Sequence, residues 1–352
     1  RNPRFLNAAA RQFTHEDVTG LLDMLGTPTK VERGGRVFPE SDKASDVTRA
    51  LDRGMRDAGV VISLNTEAAH VKPAEHGFDI ALTQGGVLRA GSVIVATGGV
   101  SYPSTGSTGD GYRFAKENGL NVTKLGASLV GMTVDEKWCM LLQGLSLKNV
   151  RVTAKAGKKT IYSELGEMLF THFGVSGPLI IELSSHMPED YSQVSVTLDM
   201  KPGLTDEQVD LRLQRDFAEN NRKQISSVLT GLMPARMAPV FAKLCGVDTD
   251  TPISQVTREQ RMAIGHALKA LPLHVVGTRP IEEAIVTRGG VDVLEITPGT
   301  MMSKKVPGLF FAGEVLAVDA HTGGFNLQIA FSTGALAGKS AAAWAMDHQA
   351  SC

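Results

Sequence analysis

The sequence predicts an α/β protein in which one discontinuous domain is interrupted by an inserted body, and three observations point to it. Ser92-Val93-Ile94-Val95-Ala96 is a continuous apolar run, the pattern of a strand buried on both faces of a parallel sheet, and it passes straight into Thr97-Gly98-Gly99. Leu309-Phe310-Phe311-Ala312 repeats the pattern far downstream and ends at Gly313-Glu314. Between the two, period-two alternation around Val150 to Thr153 and Val194 to Leu198 is followed by a helical stretch from Thr205 to about Leu271. Residues 1–126 and 288–352 are therefore expected to fold together. Residues 127–287 are expected as an insertion, a mostly antiparallel, β-barrel-like body carrying a helical subdomain over 205–271.

The elements follow in chain order. The polar opening segment does not read as a strand. Thr14 to Leu25 reads as a helix: Thr14 caps it, Asp17 complements the dipole of its first turn, and Val18, Leu21, Leu22 and Leu25 form the apolar stripe before Gly26 stops it. Gly34-Gly35-Arg36-Val37-Phe38-Pro39 reads as a rigid turn. Ser45 to Ala58 is a second helix with Val47, Leu51, Met55 and Ala58 on one face, and Gly59-Val60-Val61-Ile62 reads as a short strand after it. Phe78 to Leu82 and Val87-Leu88 suggest a hairpin turning at Gly85-Gly86. Thr105-Gly106-Ser107-Thr108-Gly109-Asp110-Gly111 leads into a helix from about Tyr112 to Asn118. Thr205-x-x-Gln208 and Thr257-x-x-Gln260 match the reciprocal capping box, and Met233, Met237 and Met262 are expected as core fillers. Gly323-Gly324-Phe325-Asn326 opens an Ala-rich helix from Leu327 to about Met346.

Composition excludes several classes. At 352 residues the chain exceeds one domain of about 150 residues, and 42% hydrophobic with 21% charged residues is a globular balance rather than a disordered or fibrous one. Lys plus Arg (36) nearly cancels Asp plus Glu (37), so no basic field attracts nucleic acid or an anionic membrane, and neither is expected as a partner. Cys139, Cys245 and Cys352 are far apart and form no C-x-x-C. That spacing indicates no disulfide framework, thiol redox pair or metal site, and it points to a reducing, cytoplasmic compartment. The oligomeric state has no signature in the sequence.

The chemistry concentrates where strands meet glycines. A helix start leaves N–H groups unpaired and carries partial positive charge, so a glycine-led start can hold a phosphate or a carbonyl gaining negative charge. Gly106, Gly109 and Gly111 frame one such start, although G-x-x-G-x-G is not the dinucleotide pattern G-x-G-x-x-G, and a tight structural turn accounts for the same residues. Gly323 and Gly324 frame another, whose first N–H groups suit the pyrimidine carbonyl of a flavin. Glu314 stands at the carboxyl edge of a strand, where open α/β folds bind ligands; it reads equally as an acceptor for sugar hydroxyls and as a solvated loop acid. Asp319 and His321 add polar groups to that region. His321 and His172 read either as proton donors or substrate contacts, or as ordinary surface and packing residues. No G-x-S-x-G, H-E-x-x-H or G-x-x-x-x-G-K-[ST] is present, so hydrolytic and P-loop schemes have no signal.

As a set, these segments resemble one family. Gly34 to Pro39 with Ser41-Asp42-Lys43-Ala44, Val93 to Pro103, Gly106 to Gly111, Gly166 to Pro178, Met302-Ser303-Lys304 with Pro307 to Glu314, and Thr322 to Gln328 are similar to the BaiN/YhiN-like flavoproteins, NAD(P)/FAD-dependent oxidoreductases. The match runs in order through nearly the whole chain. It implies a glutathione-reductase-like, FAD/NAD(P)-binding Rossmann-like domain, with FAD as cofactor and NAD(P)H as electron donor. It also implies that Thr97, Gly98 and Gly99 line the cofactor, that Gly313 and Glu314 lie where ribityl and pyrophosphate pass, and that Gly323, Gly324, Asn326 and Leu327 lie by the flavin ring. Gly35, Arg36 and Phe38 are placed at the flavin or substrate pocket.

Two features depart from the family pattern. Its opening strand with G-x-G-x-x-G, the acid ending the next strand, and a glycine-rich segment with arginine, cysteine and asparagine are not found before the resembling segments; the resemblance therefore implies an amino-terminally truncated FAD domain with weak or absent FAD retention. Ala317 stands where the family has aspartate and Ala320 where it has glycine, which puts a substrate-side polar contact in question.

The activity so implied is hydride transfer from NAD(P)H through flavin N5 to a small organic acceptor, a conjugated enone among the options. The acceptor carbonyl then needs a hydrogen-bond donor and the adjacent carbon a proton, with Arg36 and His321 as candidates. Two readings stand beside it: a non-catalytic flavin- or nucleotide-binding or interaction protein, and a flavin-dependent oxidase of small amines.

Overall fold

A computed structural model describes the chain from Asn2 to Gln349, so Arg1 and Cys352 lie outside the described residues. Two units emerge: one runs to Ser128 and resumes at Ile281, and the other is Leu129–Pro280.

The first unit begins with α1 (Asn7–Gln12) and α2 (His15–Met24). The helix start is fixed locally: Thr14 Oγ1 accepts from Asp17 N at 3.3 Å, and Thr14 N donates to Asp17 Oδ2 at 2.7 Å. β1 (Thr29–Glu32) and β2 (Arg36–Pro39) form a hairpin whose turn uses Gly34 and Gly35 at φ of 83° and 72°; the expected rigid turn over Gly34 to Pro39 is thus confined to its two glycines, and Arg36 to Pro39 pair with β1 as a strand. α3 (Ala44–Asp57) follows. The expected strand at Val60-Val61-Ile62 is absent. Val61 is 88% exposed, and β-branched propensity cannot make a ladder without a neighbouring strand.

β3 (Ala68–Ala74), β4 (Gly77–Leu82) and β5 (Val87–Ala90) form an antiparallel sheet with its turn at Gly85 and Gly86. β6 (Val93–Val95), α4 (Asp110–Glu117) and β7 (Gly126–Ser128) lead to the second unit.

That unit contains β8 (Met132–Val134), α5 (Trp138–Leu141), β9 (Ser146–Ala156), β10 (Lys159–Thr171), β11 (Gly174–Ser176), α6 (Pro178–His186) and β12 (Val194–Asp199). It continues through α7 (Asp206–Glu219), α8 (Ile225–Leu229), α9 (Ala238–Leu244), α10 (Arg258–Ala270), β13 (Leu271–Leu273) and β14 (Val275–Thr278). Its sheet has the order β13-β12-β9-β10-β11-β8-β14. The expected barrel does not form, because no ladder joins the two end strands. β13 and β14 are consecutive pieces of chain separated by His274, one pairing with β12 and the other with β8. Pro272 lies within β13 and has no N–H to donate, so this segment suits an edge.

Both capping boxes form. Thr205 Oγ1 accepts from Gln208 N and Thr257 Oγ1 from Gln260 N, each at 3.2 Å. The Lys269 ammonium ties α10 to the turn after β12, donating to Asp199 Oδ2 at 2.7 Å and to the Lys201 and Leu204 carbonyls. Phe170, Phe241, Ile180 and Leu183 fill the core, with Met233 and Met237 buried as expected. Met262 is not a core filler: it is 55% exposed, two residues before the buried Ile264 and so roughly 200° round the helix from that face.

The chain then re-enters the first unit. β15 (Val286–Arg288) pairs antiparallel with β7, and β16 (Leu309–Phe311) pairs parallel with β6, Leu309 opposite Val93 and Phe311 opposite Val95. α11 (Phe325–Gln349) closes the described chain. The result is an α/β, Rossmann-like unit with extra strand-rich elements. Among the described residues β6 has no second strand neighbour, and Ile94 is 38% exposed, so Val95 is buried as a central strand residue would be and Ile94 is not. No described helix is long and apolar enough to cross a membrane.

Candidate functional site

The parallel pair β6 and β16 delivers two loop segments to the same end of the first unit. Parallel strands end at one edge, so Thr97-Gly98-Gly99 and Gly313-Glu314 emerge together; Ala312 N donates to Val95 O at 3.1 Å just before they diverge. A Cβ on Gly99 would lie 2.1 Å from Thr287 Oγ1 and 2.6 Å from Glu314 Oε1, so only glycine lets the first segment settle on the second and on β15. Gly98 adopts φ 71° there. Among the described residues the amides of Gly98 and Gly99 have no acceptor, which leaves two N–H donors at a strand end.

Thr287, fully buried, organises this junction. Its Oγ1 accepts from Val100 N at 2.9 Å and Ser101 N at 3.2 Å, and lies 3.1 Å from Ser101 Oγ. Its own N–H donates to Glu314 Oε1 at 2.8 Å. One carboxylate oxygen of Glu314 is thereby committed, while Oε2 makes no hydrogen bond to the described residues. Tyr112 is buried beside this pair; burial, and then the Glu314 carboxylate, push its phenol pKa up, so the hydroxyl keeps its proton.

The remaining predicted residues have other surroundings. Thr97 Oγ1 is buried without a hydrogen-bond partner, and a Cβ on Gly111 would come within 2.3 Å of it, so Gly111 lets α4 close onto β6. Gly109, at φ 88°, is the N-cap of α4, and Gly106, at φ 100°, turns the chain before it. The start of α4 faces its own Asp110, which accepts from Thr108 Oγ1 at 2.8 Å and from Arg113 at 2.7 Å. Burial raises the Asp110 pKa, but Arg113 and Thr108 together outweigh it and hold the carboxyl below its usual range. A resident carboxylate there opposes a phosphate at the same helix start.

Gly313 N donates to Thr333 Oγ1 of α11 at 2.9 Å. Asn326 spends its amide on its own loop, accepting from Ala320 N at 2.9 Å and donating to Ala320 O at 3.0 Å. That clamp fixes the loop that carries His321, Gly323 and Gly324, all exposed, and presents Phe325 and Leu327 to solvent at the start of α11. Ser128 Oγ donates to the buried Asp319 at 3.1 Å. Arg36 is exposed in the β1–β2 hairpin, and its guanidinium makes no hydrogen bond or ion pair among the described residues. His172 is exposed at the β10–β11 turn, edge-on to Phe173. A groove of about 560 Å³ beside α3 is lined by Thr27, Glu40, Arg49 and Arg53 among others, and includes none of the glycine-segment residues.

Sequence reasoning passed over Thr287 and Tyr112. Thr287 stood at the expected boundary of the insertion, and its signal was the following Gly289-Gly290, both at positive φ, at the end of a strand.

Comparison with known proteins decides the family. The HI0933-like protein Rossmann domain family matches residues 1–340. The chain belongs to this family. The chain is similar to a 3-dehydro-bile acid delta(4,6)-reductase of Clostridium scindens, 29% identical over 97% of this chain and 83% of the relative. A ribosomal RNA dihydrouridine synthase of Escherichia coli is 31% identical over 95% of this chain and 80% of its own length. Its counterpart from Haemophilus influenzae is 30% identical over 95% and 81%.

Membership brings flavin- and NAD(P)-linked oxidoreductase activity in general, with FAD and NAD(P)H supported at the level of the family. The residues present fit part of an FAD. Two unpaired amides and one uncommitted carboxylate oxygen at a strand end provide donors for phosphoryl oxygens and an acceptor for a polyol hydroxyl.

Proposed function

We propose that this HI0933-like chain is an FAD-dependent reductase that uses NAD(P)H to saturate a carbon–carbon double bond conjugated to a carbonyl. One observation carries the reading. The names of its relatives, a bile-acid delta(4,6)-reductase and two dihydrouridine synthases, describe one bond change: hydrogen added across a double bond, in a steroid skeleton and in uracil. The flavin, when bound, supplies the hydride chemistry.

The chain's own residues bind, orient and protonate. Gly98 and Gly99 donate backbone N–H groups to the cofactor's ribityl-phosphate region, and Glu314 Oε2 accepts from a hydroxyl there. Behind Gly323 and Gly324, the first N–H groups of α11 have no intrahelical acceptor and favour a ring carbonyl that gains charge. Phe325 and Leu327 give apolar cover that excludes water, and Asn326 holds the loop that presents them. His321 is the candidate proton source for the carbon beside the carbonyl, and Arg36 the candidate donor to the carbonyl oxygen.

The balanced charge of the chain favours a small organic acceptor. Two relatives named for ribosomal RNA favour a second reading, in which the double bond is that of a uridine in RNA. Anaerobic NADPH and NADH oxidation with FAD supplied, run with a steroidal enone, with unmodified ribosomal RNA and with neither, tests both. The expected result is oxidation above the free-flavin background with one acceptor, whose product gains two hydrogens. Oxidation indifferent to either acceptor overturns the reductase reading, and amine-dependent peroxide production in a parallel aerobic assay, with O2 as the electron acceptor, would replace it with the oxidase.

A further inference from the structure

Thr287 commits both its hydroxyl oxygen and its backbone N–H in one place. A hydroxyl has two lone pairs and one proton. Val100 N and Ser101 N both donate to Thr287 Oγ1, and Ser101 Oγ lies 3.1 Å from the same oxygen, within hydrogen-bond reach. The backbone N–H of the same residue holds Glu314 Oε1 at 2.8 Å. One residue on β15 thus sets two groups from two other segments, the turn after β6 and the carboxylate after β16.

The consequences fall on the groups left over. With Val100 and Ser101 anchored, Gly98 and Gly99 are amides of that turn left without an acceptor among the described residues. With Oε1 held, Oε2 is the oxygen of Glu314 left to accept. The close seat of Gly99 on Thr287, 2.1 Å from where its Cβ would be, leaves no slack in this arrangement. The buried Tyr112 of α4 packs beside this network, its hydroxyl making no hydrogen bond among the described residues.

We propose that Thr287 is a positioning residue for the ribityl-phosphate part of the flavin cofactor: it fixes the Gly98-Gly99 amides and the free oxygen of Glu314 as one donor–acceptor set. This inference rests on the flavin reading of the site. Thr287 touches no cofactor atom in this scheme and acts through the loop and the carboxylate.

The test titrates the full chain and the variants Thr287→Val and Thr287→Ser with FAD and with lumiflavin, which has the ring but neither ribityl hydroxyls nor phosphates. Binding is followed by flavin fluorescence, with melting temperature and amide exchange at Val100 and Ser101 recorded alongside. Valine keeps the shape and the amide but removes the hydroxyl. The expected result is faster exchange at Val100 and Ser101 and an FAD affinity about tenfold weaker in Thr287→Val, lumiflavin affinity unchanged, and recovery of FAD binding in Thr287→Ser. Equal FAD affinity in Thr287→Val and the unaltered chain overturns the proposal while leaving the flavin reading intact. Parallel loss of FAD and lumiflavin overturns it in favour of a general packing role. Failure of the unaltered chain to bind either FAD or lumiflavin at any concentration removes the flavin reading itself, and the proposal with it; binding of lumiflavin without FAD overturns the proposal alone.

Discussion

The two units satisfy their backbones in different ways. In the second unit, a seven-stranded sheet takes up strands from one end of the segment to the other, with Phe170 and Phe241 buried among its core side chains. In the first, among the described residues, the parallel ladder has two strands of three residues, β6 lacks a second neighbour, and Val61 and Leu64 lie largely exposed. The contrast separates stability from chemistry. The second unit's strands pair with one another in one sheet, whereas the first unit keeps two glycine amides and a carboxylate oxygen uncommitted at a strand end.

The largest expected effect falls on the second unit. Phe241→Ala removes a fully buried ring and is expected to cost about 3–5 kcal/mol, read as a shifted denaturant midpoint. Flavin affinity at native conditions should be far less affected. If instead both fall together, the division of labour is wrong.

Gly99→Ala sharpens the contrast from the other side. The added methyl meets Thr287 and Glu314, so an overpacking cost of about 1–3 kcal/mol is expected in the first unit. Flavin titration should show the larger consequence, an affinity at least about tenfold lower.

Alkaline pH tests the second unit again. Burial pushes the thiols of Cys139 and Cys245 up to about 12 from an ordinary 9.0, with Glu136 adding to the shift at Cys139. The folded state therefore holds these protons after the unfolded chain has released them. This stabilisation is complete below pH 9.0 and is lost progressively as pH rises toward about 12. Denaturant midpoints measured across that window should fall, and less steeply in a double Cys→Ala variant.

The smallest effect is expected at the helix caps. Thr205→Ala and Thr257→Ala each remove one hydroxyl acceptor and should cost about 1 kcal/mol without altering flavin binding. A change in flavin affinity in either would break the proposed independence.

What the sequence revealed follows interaction range. The capping boxes at Thr205 and Thr257 and the Gly85-Gly86 turn are set by residues within a few positions of one another, and they are where the pattern places them. The two strands flanking the insertion were legible because a parallel pair needs continuous apolar runs. Val60 to Ile62 has the composition of a strand, but pairing depends on a neighbour that no local pattern specifies. Closure of the second unit's sheet was misjudged from alternation alone, although Pro272 already marked an edge.

The site was legible in the same uneven way. Gly98, Gly99 and Glu314 announce themselves as glycines and an acid after apolar runs. The partner that unites them, Thr287, sits far from Val100 in sequence and has no composition signal of its own.

The most direct test of the central claim is an amide NMR spectrum of the chain titrated with FAD. The account predicts that the Gly98 and Gly99 signals shift as FAD is added and saturate together with the flavin fluorescence change. FAD binding that leaves both signals unmoved would contradict it.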